Sequence, residues 1–441
     1  MRKPTSLLLI AAAAAAAAAT AAGVAVPLMA PSSAGTAPPA TAVAERPGSG
    51  QSVIDWNRQL TSILGSQGAQ PATVHPTRSF AMLQGAEYDA VNSITHSGPP
   101  YRAVPAQGDA RPDAAADQAA HDVLLALYPS MRTGLDGRLR GQLAVIPQGR
   151  AKDDGVRVGR AAANQLFALR ASDGSSAVSA PFTAGTRPGS YRPTPPKLAA
   201  PAYTSWGKVT PFVLAQSQQL RPAAPPAVTS ARYATALDEV RSLGRASSTT
   251  RTADETVAAK FWSGTPVWNT WNKVTQRLLA GGHASLTEAT TVLSALDLGL
   301  ADTTIALYDA KYHWRVWRPV TAVQLGVLGD PAIVGDPTWI PLTKTAPDPS
   351  YPGAHSAISE AAASVLAAFY GTHQSLAISS AADPGVTRRF GSLSAAADEA
   401  GLSRIWAGQH TRIDHRAGQM LGRQVAAEVL RSFPAHRHTT G

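Results

Sequence analysis

The sequence contains no cysteine in 441 residues. That excludes disulfides and lipoprotein anchoring, so stability must come from a buried core, which a chain of this length can build. Charged residues are sparse at 15%. Membrane-crossing runs are lacking after the N-terminus: the best candidate, residues 286–310, carries Glu288, Asp297, Asp302 and Asp309, which would be expensive in lipid. Convincing strands are lacking too, since alternating runs are short and no Asn-Gly or Asp-Gly turn joins two of them. No repeat of 20–50 residues is evident. There is no nucleic-acid motif and no basic stripe interleaved with aromatics. The net charge of +10 is scattered, with a short basic finish at Arg431, His436, Arg437 and His438. It reads as a solvated basic surface whose field would favour an anionic small substrate or cofactor.

What remains is a chain with 44% apolar residues and much alanine, a composition that leans helical. Arg2 and Lys3 precede an apolar stretch over 7–22, so residues 1–30 read as a signal peptide and the protein as secreted. Small residues recur from Ala21 to Ala44, and an uncleaved anchor is the other reading. Residues 31–50 read as a disordered linker. Residues 51–284 read as an N-terminal helical region, with apolar spacing over 56–64, 80–94, 117–128, 156–169, 229–243 and 253–262. A long proline-rich interval, 171–226, interrupts it, of a kind more often functional or packed over a surface than empty. Residues 285–433 read as a catalytic helical core and 434–441 as a tail. The fold class expected is all-α.

Three pieces of the core carry chemistry. Ser285-Leu286-Thr287-Glu288 is a capping box that starts a helix running toward Lys311, and Pro319 marks where that helix has ended. Ser350-Tyr351-Pro352-Gly353-Ala354-His355 precedes an alanine-rich helix, so Gly353, Ala354 and His355 lie near an N-terminus where free N–H groups would face an anion. Ser403-Arg404 is followed by His410 and, four residues on, Asp414, a spacing that predicts a shared helix face and an imidazole oriented by a carboxylate. Gly418 and Gly422 on that helix would admit a close neighbour. Lys311, Arg318 and Arg404 in one pocket would repel one another unless a polyanion sat between them.

The spacing K-x6-R-P, then P-x-x-H, then S-R-x5-H-x3-D resembles the three-part signature of the vanadium haloperoxidase and PAP2 phosphatase superfamily. Seven fixed positions in the outer motifs make chance occurrence on the order of 10⁻⁴. The resemblance implies a helical bundle with the proline-rich interval as an insertion. It also implies that vanadate binds as cofactor, with His410 its metal ligand, Lys311, Arg318 and Arg404 on its oxygens and the Ala354 N–H completing the cradle. His355 would move the proton and Asp414 would orient His410. Partners would be hydrogen peroxide and halide. In a soluble phosphomonoesterase the same residues would need no cofactor, and a phosphate ester would pass through a phosphohistidine at His410. A third reading is an oxyanion-binding protein with decayed catalysis.

One position departs from the pattern. The family usually has P-S-G-H, but Gly353 stands where the serine would be and Ala354 where the glycine would be. A hydroxyl donor is missing, worth about 1–3 kcal/mol if the oxygen it served stays unpaired. The carboxylate that often pairs with the third cation has no clear position; Asp254 and Glu255 are candidates. His313, Trp314 and Trp317 read as packing, and His283, His373 and His415 as surface residues. No nucleic acid and no membrane after signal cleavage is expected, and an apolar bundle face leaves a homodimer open.

Overall fold

The computed structural model describes residues 48–433 apart from 67, 107–108, 180, 328–332 and 381–382. The signal peptide, nearly all of the linker and the tail lie outside the described residues. Gly48 and Gly50 are already part of the fold: Leu286 N–H donates to Gly48 O at 2.7 Å and Gly50 N–H to Ala284 O at 2.9 Å.

The described elements are overwhelmingly helical. In chain order they are α1 (Gln51–Gly65), α2 (Pro76–Thr95), α3 (Pro112–Leu127), α4 (Arg132–Ala144), α5 (Arg150–Arg170), α6 (Ala231–Leu243), α7 (Ala253–Gly264), α8 (Val267–Gly281), α9 (Leu286–Trp314), α10 (Pro319–Leu325), α11 (Ala354–Tyr370), α12 (Leu393–Trp406) and α13 (Arg412–Ser432). The all-α expectation holds, with one addition. β1 (Leu376–Ser379) and β2 (Thr387–Phe390) pair antiparallel, Leu376 opposite Phe390. Four residues each are too few to show an alternation, and the turn between them is longer than the two-residue Asp-Gly type sought.

Helix α9 is the axis. Val292 to Leu307 are buried without a break, so it is covered on every side, by α2 on one flank and by α11 and α13 on the other. By length and composition alone it could cross a membrane, but it is packed in the interior. Its polar groups are satisfied there. Asp297 accepts from Asn272 at 2.9 Å, and Asp302 accepts from the N–H groups of Phe212, Val213 and Leu214 at 2.6, 2.8 and 2.7 Å. At the start of α9, Ser285 Oγ accepts from Glu288 N–H at 3.1 Å. The reciprocal half of the expected box is absent, because the Glu288 carboxylate accepts from Tyr370 at 3.4 Å instead.

Asp302 explains the proline-rich interval. It and Asp309, which holds Arg221 through two bonds of 2.7 and 2.9 Å, tie the irregular chain to α9. That chain then pairs with the segment between Lys311 and Arg318: Tyr191 N–H donates to Arg315 O at 2.7 Å and Trp317 N–H to Gly189 O at 2.9 Å. The insertion therefore positions Arg318.

The helices α11 and α13 meet through glycine. A Cβ on Gly418 would lie 2.4 Å from Gly353 O, and one on Gly422 would lie 2.3 Å from Ala357 O. Only hydrogen at these positions permits the approach.

Candidate active site

Lys311 sits in the last turn of α9, which ends where Arg315 adopts φ 52°. Arg318 is the N-cap residue of α10. Between them and α11 runs a loop, Pro347-Asp348-Pro349-Ser350, that fastens both cations. Lys311 Nζ lies 3.1 Å from Asp348 Oδ1 and donates to the carbonyls of Pro349 and, at 3.2 Å, Ser350. Arg318 donates through Nε to Asp348 O at 2.7 Å, through Nη2 to Asp348 Oδ1 at 2.5 Å and through Nη1 to Gln409 O at 3.0 Å. Asp348 thus pairs with the first two cations, whereas among the described residues no carboxylate pairs with the third, Arg404, whose Nη1 meets Ser263 Oγ. Asp254 and Glu255 are elsewhere engaged: Asp254 pairs with Arg388, and Glu255 completes a capping box with Thr252.

His410 joins this chain of contacts. Arg318 Nη1 donates to His410 Nε2 at 3.1 Å, so Nε2 carries a lone pair and the ring proton is on Nδ1. Nδ1 faces Ser350 Oγ at 3.4 Å and Asp414 Oδ2 at 3.5 Å, while Ser350 donates to Asp414 at 2.8 Å. Asp414 therefore meets His410 both directly and by way of Ser350. The expected shared helix face is corrected here. Thr411 caps α13 in a box with Asp414, so His410 precedes the helix and Asp414 lies in its first turn. The pairing survives because the Thr411 N–H and the imidazole approach one carboxylate oxygen from two sides, the former at 2.7 Å.

Arg404 and His355 are each held by the end of α7. Arg404 Nη1 donates to Ser263 Oγ at 2.7 Å. His355 Nε2 lies 3.0 Å from Trp262 O, and since a carbonyl only accepts, Nε2 carries the proton and Nδ1 the lone pair. Among the described residues Arg404 Nε is buried without a partner. The helix α11 has Gly353 at its N-cap and no side-chain cap, and no partner holds the N–H groups of Ala354 and His355 among the described residues. Unpaired donors of this kind converge on acceptors.

The electrostatics bind the five groups into one site. Burial, then the charge of Arg318, pulls the Arg404 guanidinium down to about 9. Burial and Arg318 lower Lys311 as well, against the opposing pull of Asp348, to about 8. Burial alone would raise Asp348, but Lys311 and Arg318 hold it at about 2. His410 falls to about 3, through burial and Arg318, and His355 falls well below the histidine range, through burial and then Arg404. At neutral pH both imidazoles are neutral, three cations stand against Asp348 and Asp414, and one positive charge is in excess.

Of the other histidines, His283, His313 and His373 are exposed, but His415 is buried at 3% exposure, a correction to its expected surface place. Trp317 is buried and donates to Tyr233 at 2.5 Å, as packing requires. Asp348, Trp262 and Ser263 escaped the sequence reading, as did the part Ser350 plays. An aspartate between two prolines, two residues ahead of Ser350, was the one available sign.

The arrangement fits an oxyanion better than a chelated metal. Among the described residues no group of three or more His, Asp or Glu could hold a metal ion. One accessible imidazole nitrogen, three buried cations and free amides instead suit a tetrahedral anion.

Comparison with known proteins bears on the fold. A family model described as the VCPO second helical-bundle domain matches residues 291–439. No curated protein matches the sequence. Among solved structures, the chain is similar to a bacterial vanadium-dependent iodoperoxidase, with TM-score 0.74 and 23% identity over 88% of this chain and 98% of that one. It is also similar to a bacterial vanadium-dependent chloroperoxidase in its holo form, with TM-score 0.65 and 15% identity over 88% and 98% of the chains. The apo form of a bacterial vanadium-dependent chloroperoxidase gives TM-score 0.63 and 14% identity over 83% and 94%. These likenesses carry the fold, and the last third of the chain matches the second helical-bundle domain of the VCPO family model.

Proposed function

We propose that the protein is a vanadate-dependent haloperoxidase, oxidising halide with hydrogen peroxide. The observation that carries the reading is the pairing of Arg318 Nη1 with a neutral His410 Nε2 at 3.1 Å among buried groups with positive charge in excess. A nucleophilic nitrogen kept free of its own proton, and surrounded by cations, is what a single-imidazole oxyanion site needs.

Each residue then has a role. His410 offers the Nε2 lone pair, and a ligand taken there displaces the Arg318 hydrogen bond. Asp414 and Ser350 hold the ring by Nδ1. Lys311, Arg318 and Arg404 neutralise the oxyanion, with Arg404 Nε and the Ala354 N–H as donors that have no other partner. Asp348 keeps Lys311 and Arg318 in place and limits their mutual repulsion. His355, its Nε2–H fixed on Trp262 O, keeps Nδ1 unprotonated and would serve as the group that takes a proton and returns it. Bound vanadate would supply the Lewis acidity that activates peroxide toward halide. The apolar segment over 7–22 supports an extracellular setting for the reaction.

The test uses purified apoprotein. Bromide oxidation by peroxide should depend on added orthovanadate, and aryl phosphate hydrolysis, if any, should be inhibited by it. Phosphatase activity without peroxidase activity would favour phosphohistidine chemistry at His410. Tight vanadate binding without either activity would favour an oxyanion-binding protein.

A further inference from the structure

The antiparallel pair β1–β2 is tied to the helix end that holds His355 and Arg404. On β2, Arg388 donates through Nε to Glu399 Oε1 at 3.0 Å and through Nη2 to Glu399 Oε2, a two-bond fork onto α12. The same guanidinium reaches the first turn of α7, with Nη2 3.0 Å from Asp254 Oδ2. Glu399 Oε1 also accepts the indole N–H of Trp262, at 3.0 Å. Just past the end of α7, Thr265 Oγ1 lies 2.7 Å from Ser380 Oγ, one residue beyond β1. The Arg388 and Glu399 side chains are each 15% exposed and Trp262 is 1% exposed, so the network is largely shielded from water. A charge-assisted fork of this kind fixes orientation as well as distance.

Trp262 is where this network meets the site. It lies in the last turn of α7, and the residue four further on is Pro266, which has no N–H to give. The Trp262 carbonyl is therefore left over by the helix, and it accepts from His355 Nε2–H at 3.0 Å. The next residue, Ser263, donates to Ala259 O and accepts from Arg404 Nη1 at 2.7 Å. Two site residues on different helices, His355 on α11 and Arg404 on α12, thus take their orientation from two consecutive residues of α7. What holds those two residues in place is the Trp262 side chain, and what holds that side chain by a polar contact is Glu399.

We propose that Glu399 is a positioning residue for two arms of the site at once. Through the Trp262 indole it fixes the carbonyl that orients His355 and the adjoining hydroxyl that holds Arg404, and Arg388 of β2 keeps Glu399 in place. The inference rests on the reading of the His410 pocket as an oxyanion site in which His355 moves a proton. The two arms have different readouts. Arg404 bears on how tightly the anion is held, and His355 on how fast turnover proceeds, so loosening Trp262 lowers both.

Trp262→Phe removes the indole N–H and keeps a ring in its place. In the full chain, orthovanadate affinity by equilibrium titration should fall about tenfold, and kcat for bromide oxidation at saturating orthovanadate should fall about tenfold as well. Arg388→Ala, at a less enclosed position, should lower both in the same direction, and Arg388→Lys should recover most of that loss by keeping a cation beside Glu399. The losses must also run through the named partners. In an Arg404→Ala background Trp262→Phe should leave orthovanadate affinity unchanged, and in a His355→Ala background it should leave kcat unchanged. Losses that multiply in those backgrounds overturn the proposal. So does an Arg388→Ala protein with native affinity and native kcat, even if its thermal midpoint falls, since a purely structural tie would move the midpoint alone. A native protein that binds orthovanadate without oxidising bromide overturns the haloperoxidase reading, and the affinity measurements then decide the proposal by themselves. A native protein that does not bind orthovanadate refutes the oxyanion site, and the proposal with it.

Discussion

Asp348→Asn separates the pocket's charge balance from its shape. In the native protein Asp348 Oδ1 lies 3.1 Å from Lys311 Nζ and 2.5 Å from Arg318 Nη2. With Lys311 at about 8, the ammonium is charged in roughly nine of ten molecules at pH 7. Two unit charges 3.1 Å apart attract by ~5 kcal/mol at an effective dielectric of about 20. Removing that attraction from a fully buried lysine, with Arg318 still beside it, leaves the amine neutral at pH 7. An oxyanion entering the variant pocket must then bring a proton back to Lys311. Calorimetry with sulfate in buffers of different ionisation enthalpy should show proton uptake of about 0.1 for the native protein and close to one for Asp348→Asn. The variant should also lose about 3–5 kcal/mol of stability, because one partner of a buried pair is gone. Adding Lys311→Met should restore part of it. Proton uptake that does not rise in Asp348→Asn would refute the reasoning.

Asp414→Ala removes the acceptor for Ser350 and Thr411 and frees the His410 ring, so orthovanadate affinity in equilibrium titration should fall about 10–100-fold; unchanged affinity would contradict that role. Gly418→Ala places a methyl group where the gap to Gly353 O is 2.4 Å, and should cost about 1–3 kcal/mol in chemical denaturation. A neutral result would mean that α11 and α13 part without penalty. Burial lifts Asp297 to about 8, partly opposed by Asn272 and Asn57. The folded state keeps that proton between about pH 4 and about 8 while the unfolded chain loses it, so stability should decline as pH rises across that window. Asp297→Asn should flatten the decline, and a slope identical to the native one would count against a protonated Asp297.

The helices were legible where apolar residues recur at helical spacing, as in α2, α5, α6 and α13. α4 was not, because only Leu135 on it is buried, and such a helix writes no stripe. α8 buries Asn269, Asn272, Thr275 and Gln276 beside Val267, Trp271, Val274 and Leu279, so polar residues break up its apolar stripe. The site was legible as a set of cations and histidines because their spacing is fixed by three separate segments. Its carboxylate was not: Asp348 belongs to an irregular loop whose course no local rule determines. For the same reason His410 was placed one turn too far into α13. The i, i+4 spacing to Asp414 is equally compatible with a capping box, and Thr411 decides between them. His415 carried no pattern of its own, since its partners Ser356 and Asp398 are 59 and 17 residues away in the chain.

A crystal soaked in orthovanadate, with phases sensitive to vanadium, interrogates the pocket most directly. One vanadium centre should appear bonded to His410 Nε2, its oxygens within hydrogen-bonding reach of Lys311, Arg318 and Arg404, with the Arg318–His410 contact opened. A vanadium site elsewhere, or none with the Arg318–His410 contact intact, would contradict the convergence of these side chains on a single oxyanion.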